Sequence, residues 1–211
     1  MKRKVSDSVI NRLPRYYRYL GELISSGCGR ISSKALSEKM NITASQIRQD
    51  LNCFGGFGQQ GYGYNVNNLY DEIGKILGIN KKKTAILVGA GNMGKALVLN
   101  TNFEKRGFSL KGVFDADKEK IGTTVGDYEI LDYAGIEDFI KENNIEMAII
   151  TVSKASVNQV ANELEEMGIK GFLNFSYAEL NTSDHIAVEN IHLSDSLMRL
   201  SYKMAEKEAE C

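Results

Sequence analysis

The segment Thr84-Ala-Ile-Leu-Val88 is a short apolar strand pattern that runs directly into Gly89-Ala-Gly91-Asn-Met-Gly94 and then into a helix beginning Lys95-Ala-Leu-Val. A GxGxxG spacing alone is weak. Here a strand precedes it, a helix follows it, and Asp115 stands 21 residues past Gly94, at the end of a second apolar strand, Leu110–Phe114. That combination predicts a βαβ unit, and with it a parallel sheet of the Rossmann kind. Gly89 permits the tight turn, Gly91 lets backbone N–H groups approach a pyrophosphate at the helix N-terminus, and Gly94 lets helix and strand pack closely. Gly89, Ala90, Gly91, Asn92, Met93, Gly94 and Asp115 are therefore candidate dinucleotide-binding residues. Asp115 can accept hydrogen bonds from the adenosine ribose and would repel a 2′-phosphate, which favours NAD(H) over NADP(H). The pattern leaves open a loop kept for packing, or one used for coenzyme A or another nucleotide.

Alternation continues downstream. Strand patterns at Glu146–Thr151, Gly171–Asn174 and Ile186–Ile191 flank a helix with a Ser156/Gln159 capping-box pattern that closes at Gly168, as a doubly wound α/β sheet requires. Thr151, Val152, Ser153 and Asn174 fall at C-terminal strand ends, where such sheets bind ligands. The last segment, His192 to Glu210, carries Leu193, Leu197, Leu200 and Met204 at helical spacing. Its apolar face could cover its own sheet or that of a partner subunit.

The N-terminal third has a different character. A helical pattern from Ser6 or Asp7 to Gly27 places Ile10, Leu13, Tyr17, Leu20 and Ile24 on one face, with Pro14 as an expected kink, and Arg12, Arg15 and Arg18 on the other side, available to phosphates. A second helix, Ser33–Met40, stops at Asn41. Thr43 and Gln46 then form a capping-box pattern, and Ile42 and Ile47 a hydrophobic staple, which fixes a third helix from Ala44 to about Asn52. Two helices joined by so tight a turn are a helix-turn-helix. With Ile47 and Leu51 inward, Ser45, Gln46, Arg48 and Gln49 project outward, and Arg and Gln are side chains that read base edges in the major groove. The Gly-rich run Phe54–Val66 reads as a hairpin wing with Gln59 and Gln60 at its tip and Tyr62 beside it, followed by a helix capped by Asn67 or Asn68. Candidate DNA-binding residues are Arg12, Arg15, Thr43, Ser45, Gln46, Arg48, Gln49, Gln59, Gln60 and Tyr62. A polar solvated face, or a metabolite pocket under the wing, is the competing interpretation.

Charge separates the two parts. Residues 1–83 hold 14 Lys and Arg against 6 Asp and Glu, whereas residues 84–211 hold 12 against 21. A basic part suited to a polyanion is thus joined to an acidic part. The expected domains are a winged helix-turn-helix at 1–80, a Rossmann domain at 84–191 and a dimerisation helix at 192–211. No apolar run approaches the roughly 20 residues of a membrane span, so a soluble cytoplasmic protein is expected. Cys28, Cys53 and Cys211 are far apart, and only two histidines accompany them, which argues against a disulfide frame or a metal site; Cys53 as a redox thiol stays open.

The whole chain resembles the Rex family of redox-sensing transcriptional repressors. The resemblance lies in Arg12-Leu-Pro-Arg-Tyr-Tyr-Arg-Tyr19, Thr43-Ala-Ser-Gln-Ile-Arg-Gln-Asp-Leu51, Phe54-Gly-Gly-Phe-Gly with Gly61-Tyr-Gly-Tyr-Asn-Val66, and Val88-Gly-Ala-Gly-Asn-Met-Gly94. It implies a homodimer on a pseudo-palindromic operator, with the last helix exchanged between subunits. NADH would turn the DNA-binding heads away from their half-sites, and NAD+ would permit or favour binding. It also implies DNA contacts by Ser45, Gln46 and Arg48, a cofactor site at Gly89–Gly94 with Asp115, and Leu193 from the exchanged helix beside the nicotinamide. The chain departs from the family pattern where members often carry basic residues and this one has Gln49, Gln59 and Gln60. In some members a Tyr and an Asp form a switching contact with an Arg of the first helix, and a Phe is inserted beside the nicotinamide. The matching positions here are Asn100, His192, Arg18 and Leu193, so only the Arg is kept. An NAD-dependent enzyme, the rival class, would need a general acid or base beside the nicotinamide, and neither His185 nor His192 lies in a recognisable catalytic motif.

Overall fold

The computed structural model describes residues 5–59 and 62–209. The chain divides between Lys81 and Lys82 into two compact units.

The first unit runs α1 (Asp7–Ile10), α2 (Leu13–Ser25), β1 (Arg30–Ile31), α3 (Ser33–Met40), α4 (Ala44–Asn52), β2 (Gly58–Gln59), β3 (Gly63–Asn65) and α5 (Val66–Ile76). Pro14 does not kink one long helix. The chain breaks at Asn11–Arg12 and Pro14 sits in the first turn of α2, where its missing N–H costs nothing. Ile10 is consequently exposed, and Tyr16 is fully buried among Leu13, Leu20, Leu36, Ile47 and Leu69. α3 ends on Asn41 in the left-handed region (φ 52°), which lets the chain turn at once into α4. The three strands form an antiparallel sheet in the order β1-β3-β2, the sheet of a winged helix. Gly63 has φ +68°, and a Cβ there would lie 2.5 Å from the Ile31 carbonyl oxygen, so β1 and β3 approach this closely only because the residue is glycine. The cap of α5 is Asn65, two to three residues earlier than expected, its side chain accepting from the Asn68 N–H at 2.9 Å.

The second unit continues with β4 (Lys83–Val88), α6 (Asn92–Asn100), β5 (Phe108–Asp115), β6 (Thr124–Val125), β7 (Tyr128–Asp132), α7 (Ile136–Asn143), β8 (Met147–Ile150), α8 (Val157–Glu166), β9 (Gly171–Asn174), β10 (Ala187–Asn190) and α9 (Leu193–Ala209). The sheet order is β10-β9-β8-β4-β5-β7-β6, parallel except for the edge pair β6/β7. From β4 the chain builds outward through β5 to β7, then returns to β8 on the other side, so order reverses between β4 and β8. The apolar faces of the amphipathic α7 and α8 pack on one side with Ile86, Phe114, Ile150 and Phe172, and α6 covers Leu87, Val113 and Ile149 on the other. The Ser156/Gln159 box does not form: Ser156 makes no cap bond, and Gln159 instead donates to Glu163. Among the described residues no helix is long and apolar enough to cross a membrane.

One ion pair organises the first unit. Asp50 on α4 has no exposed surface and accepts from Arg12 Nε at 2.6 Å and Nη2 at 2.8 Å, from the Tyr16 hydroxyl at 2.8 Å and from Gln46 Nε2 at 2.8 Å. Burial alone would raise the Asp50 carboxyl, but the donors of Arg12, Gln46 and Tyr16 outweigh it and hold the group below the ordinary 3.8. A depressed folded pKa contributes stability above the unfolded value and loses it as pH falls through the folded one, so this unit is expected to weaken below about pH 4. Removing one partner of a buried pair costs about 3–5 kcal/mol. Asp50→Ala should therefore lower the melting temperature of this unit by about 10 °C or more at pH 7, measured by circular dichroism, with the difference from the unaltered protein shrinking as the pH is lowered through the depressed pKa of Asp50.

Candidate functional site

The C-terminal ends of β4, β5 and β8 open into a cleft of about 680 Å³ walled by Val88, Gly89, Gly91, Asp115, Thr151 and Val152, with Ser153, Tyr133 and Val160 further along. It lies where the strand order reverses, the place at which open parallel sheets bind nucleotides. α6 begins at Asn92, three residues earlier than the expected Lys95, because Gly91 serves as its N-cap. The first-turn N–H groups therefore belong to the glycine loop itself and, as at any helix start, have no acceptor within the helix. The partial positive charge of such a helix start suits a phosphate, and its N-cap Gly91 lies on the cleft wall.

Each glycine has a distinct physical warrant. Gly89 has φ +103°, and a Cβ on it would lie 2.8 Å from the Thr151 carbonyl carbon. At Gly94 a Cβ would stand 2.1 Å from the Gly89 oxygen, an impossible contact. Around Gly91 nothing lies within 4 Å of the added atom, so space there is left for a ligand. The loop is fastened from both neighbouring strands: Thr151 Oγ1 donates to the Gly89 oxygen at 2.6 Å, and the Ala90 N–H donates to Asp115 Oδ2 at 2.8 Å. Asp115 also accepts from the Asp117 N–H at 2.9 Å and Lys120 Nζ at 3.1 Å. Burial would raise its carboxyl; these donors overcome that and hold it below the usual range, so it is ionised.

In the first unit α4 presents Ser45, Arg48 and Gln49 on its exposed face. Thr43 Oγ1 caps α4 through the Gln46 N–H at 3.1 Å, and Arg48 reaches Ser33 Oγ on α3 at 3.1 Å. Beyond the helix, Tyr62 is 70% exposed with the Arg30 guanidinium 5.8 Å from its ring centre, a cation–π pair on the wing.

Comparison with known proteins matches these two surfaces to two family models: a putative DNA-binding protein N-terminus over residues 4–52 and a CoA binding domain over residues 80–178. The redox-sensing transcriptional repressor Rex of Thermoanaerobacter pseudethanolicus is 52% identical over 98% of this chain and 92% of its own length. The chain belongs to the Rex family. Among solved structures, RSP in complex with β-NAD+ and operator DNA is 50% identical, with a TM-score of 0.89 over 98% of this chain and 95% of that one. RSP in complex with β-NADH is 48% identical, with a TM-score of 0.86 over 97% and 96%. These relatives are named as repressors, and the chain belongs with them rather than with an enzyme family.

Against this Rex scaffold the expected site residues separate into groups. Gly89, Gly91, Asp115, Thr151, Val152 and Ser153 come together at the cleft, with Asn92, Met93 and Gly94 in the adjoining helix turn; Ala90, between the two glycines, is instead fully buried in the core and touches the site only through its N–H to Asp115. Asn174 does not offer its side chain: it is fully buried, donating to the Ala178 oxygen and Asn190 Oδ1 at 2.8 Å each, and so orients the loop after β9. Leu193 is 56% exposed at the start of α9 and lies outside the cleft walls of its own chain. On the DNA side, Arg12 and Gln46 are drawn inward by Asp50, and Arg15 donates to the Met40 oxygen at 2.7 Å, closing the end of α3. They were expected to face phosphates and bases; a buried carboxylate and an unpaired helix-end carbonyl compete for them more strongly than solvent does. Arg18 remains exposed, with its guanidinium 5.5 Å from the Tyr19 ring centre. Gln60 lies outside the described residues. Sequence reasoning missed Lys120 and Arg30, whose partners are visible only in three dimensions.

Gly94→Ala should unfold or strongly destabilise the second unit while leaving the melting of the first unchanged, since helix α6 must shift to admit one methyl group. Differential scanning calorimetry resolving two transitions checks this; a normal second transition would show that the loop yields.

Proposed function

We propose that this chain is a repressor that binds palindromic operator DNA as a homodimer, senses the NADH/NAD+ ratio at the Gly89–Gly94 cleft, and is released from DNA by NADH. The observation that carries the reading is that one chain holds a winged helix-turn-helix, with Arg48 and Gln49 exposed on its second helix, and a glycine-loop cleft closed by an ionised Asp115. The relatives crystallised with β-NAD+ and operator DNA, and with β-NADH, support the pairing of these ligands. Such a sensor acts where the chromosome is, in the cytoplasm.

Assigned to DNA are the exposed Ser45, Arg48, Gln49 and Tyr62, with the wing residues Gln59 and Gln60 and the cap Thr43. Arg12, Arg15 and Gln46 act behind them by fixing α4. Assigned to the dinucleotide are the glycine loop for the pyrophosphate, Asp115 for the adenosine ribose, and Thr151, Val152 and Ser153 for the nicotinamide half. Asn174 shapes that half from behind, and Leu193 approaches it from the partner. Bound NAD(H) supplies only the two redox states to be told apart; no residue here has to move a proton for that. α9 supports the dimer: Leu193, Leu197, Met198, Leu200, Tyr202 and Met204 are each more than half exposed in the single chain, and an amphipathic helix bare along its apolar stripe requires a partner surface.

The deciding measurement is fluorescence anisotropy on a palindromic duplex selected from random DNA, at fixed salt, titrated with NADH, NAD+, NADPH and coenzyme A. Release by micromolar NADH but not by NAD+ is expected. Release by coenzyme A alone would replace the redox reading, in keeping with the name of the matched nucleotide-domain model. Arg48→Ala should weaken operator binding by about tenfold or more and relax preference at one base position, as loss of a bidentate base contact does. Truncation before Leu193 should convert the dimer to monomer in analytical ultracentrifugation.

A further inference from the structure

Lys120 belongs to neither the glycine motif nor the acidic position after β5, yet it stands on the cleft wall with Gly89, Gly91 and Asp115. Its ammonium lies 3.1 Å from Asp115 Oδ2 and 3.2 Å from Asp117 Oδ2, and its side chain is about one third exposed, so it is held without being sealed in. Asp115 Oδ2 accepts from both Lys120 and the Ala90 N–H, and Oδ1 accepts from the Asp117 N–H. A carboxylate offers about four lone-pair directions, so roughly one is left for a sugar hydroxyl. A free carboxylate at this place would grip a ribose diol with both oxygens and repel a 2′-phosphate with its full charge. A carboxylate already paired with an ammonium does both less strongly, because the partner cancels its field beyond a few ångströms. Of the three N–H donors of the ammonium, two are directed at carboxylates and one remains for a ligand.

We propose that Lys120 is a specificity-determining residue of the nucleotide cleft, which partly offsets the charge of Asp115, offers a donor to the adenosine ribose, and so moderates the discrimination between NAD(H) and NADP(H). The inference rests on the NAD(H) reading of the cleft. Asp115 thus sets the direction of the preference and Lys120 limits its size.

The test compares the full-length protein with Lys120→Met, Lys120→Gln and Lys120→Arg. Dissociation constants for NADH and NADPH are measured by titration calorimetry at low and high salt, and thermal melting checks that each variant folds. With the cation removed, NADPH binding should weaken about tenfold or more beyond any change in NADH binding, and the gap should shrink at high salt, since it is a charge effect. Lys120→Arg should keep the original ratio. Equal changes for both ligands in Lys120→Met and Lys120→Gln would overturn the proposal and leave Lys120 as a brace of the turn. No NADH binding by the unaltered protein would overturn the NAD(H) reading together with it, whereas NADH binding with an unmoved ratio overturns the role of Lys120 alone.

Discussion

The contact between Gly94 and the Gly89 carbonyl is the tightest constraint in the nucleotide-binding unit, and the cleft exists because of it. With no side chain between them, α6 starts immediately over the end of β4, and Gly91, its N-cap, lies on the cleft wall. The turn is then tied down from both sides, by the Thr151 hydroxyl on the β8 side and by the Asp115 carboxylate on the β5 side. Three strand ends thereby hold one stretch of backbone before any ligand arrives. Little ordering remains to oppose binding, which suits a site that must report a dinucleotide rather than transform it.

A buried carboxylate plays the corresponding part in the DNA-binding unit. Asp50 collects Arg12, Tyr16 and Gln46 and so locks α4 against α2, which fixes the direction in which Ser45, Arg48 and Gln49 face. The Tyr16 hydroxyl is pushed well above its ordinary range by burial and then by its bond to Asp50, so it stays a neutral donor. Measured against an apolar replacement rather than against its own broken pair, the network is more an orienting device than a stabiliser, since a buried ion pair is commonly no better than well-packed apolar residues. A recognition helix does need orientation, because base edges are read only within a narrow range of angles and distances.

Local pattern made much of this legible. The glycine loop, the strands β4, β5, β8, β9 and β10, the turn at Asn41 and the staple around Thr43 each follow from neighbours in the chain, and their periods and caps are short-range physics. What escaped was long-range. Gln46 has the spacing of a capping-box partner, but Asp50 lies one turn further along the same face and captures it. Arg12 looked like a phosphate ligand because its partner is 38 residues away. The hairpin β6–β7 and the helix α7 were passed over because Thr124–Asp132 is short and mixed in polarity, and pairing with β5 supplies what propensity does not. Lys120 lies in a charged stretch that reads as solvated surface until Asp115 and Asp117 are brought around it.

The switch residues pose the sharpest mechanistic constraint. Where some Rex proteins have a Tyr, this chain has Asn100, whose amide is spent on the Ala96 carbonyl of its own helix at 2.8 Å. Where they have an Asp, it has His192, whose ring centre lies 6.0 Å from that of Tyr177. Neither supplies the anion that would engage Arg18. Coupling between the nucleotide and DNA surfaces requires only that NADH favour one dimer arrangement over another, and roughly 1–3 kcal/mol of such preference changes operator affinity about 5- to 150-fold. A difference of that size does not need a dedicated ion pair. Repacking of a few apolar side chains supplies it, at about 25 cal/mol for each Å² of apolar surface covered or uncovered. The bare stripe of α9, from Leu193 to Met204, exposes apolar surface of the kind that such repacking would draw on.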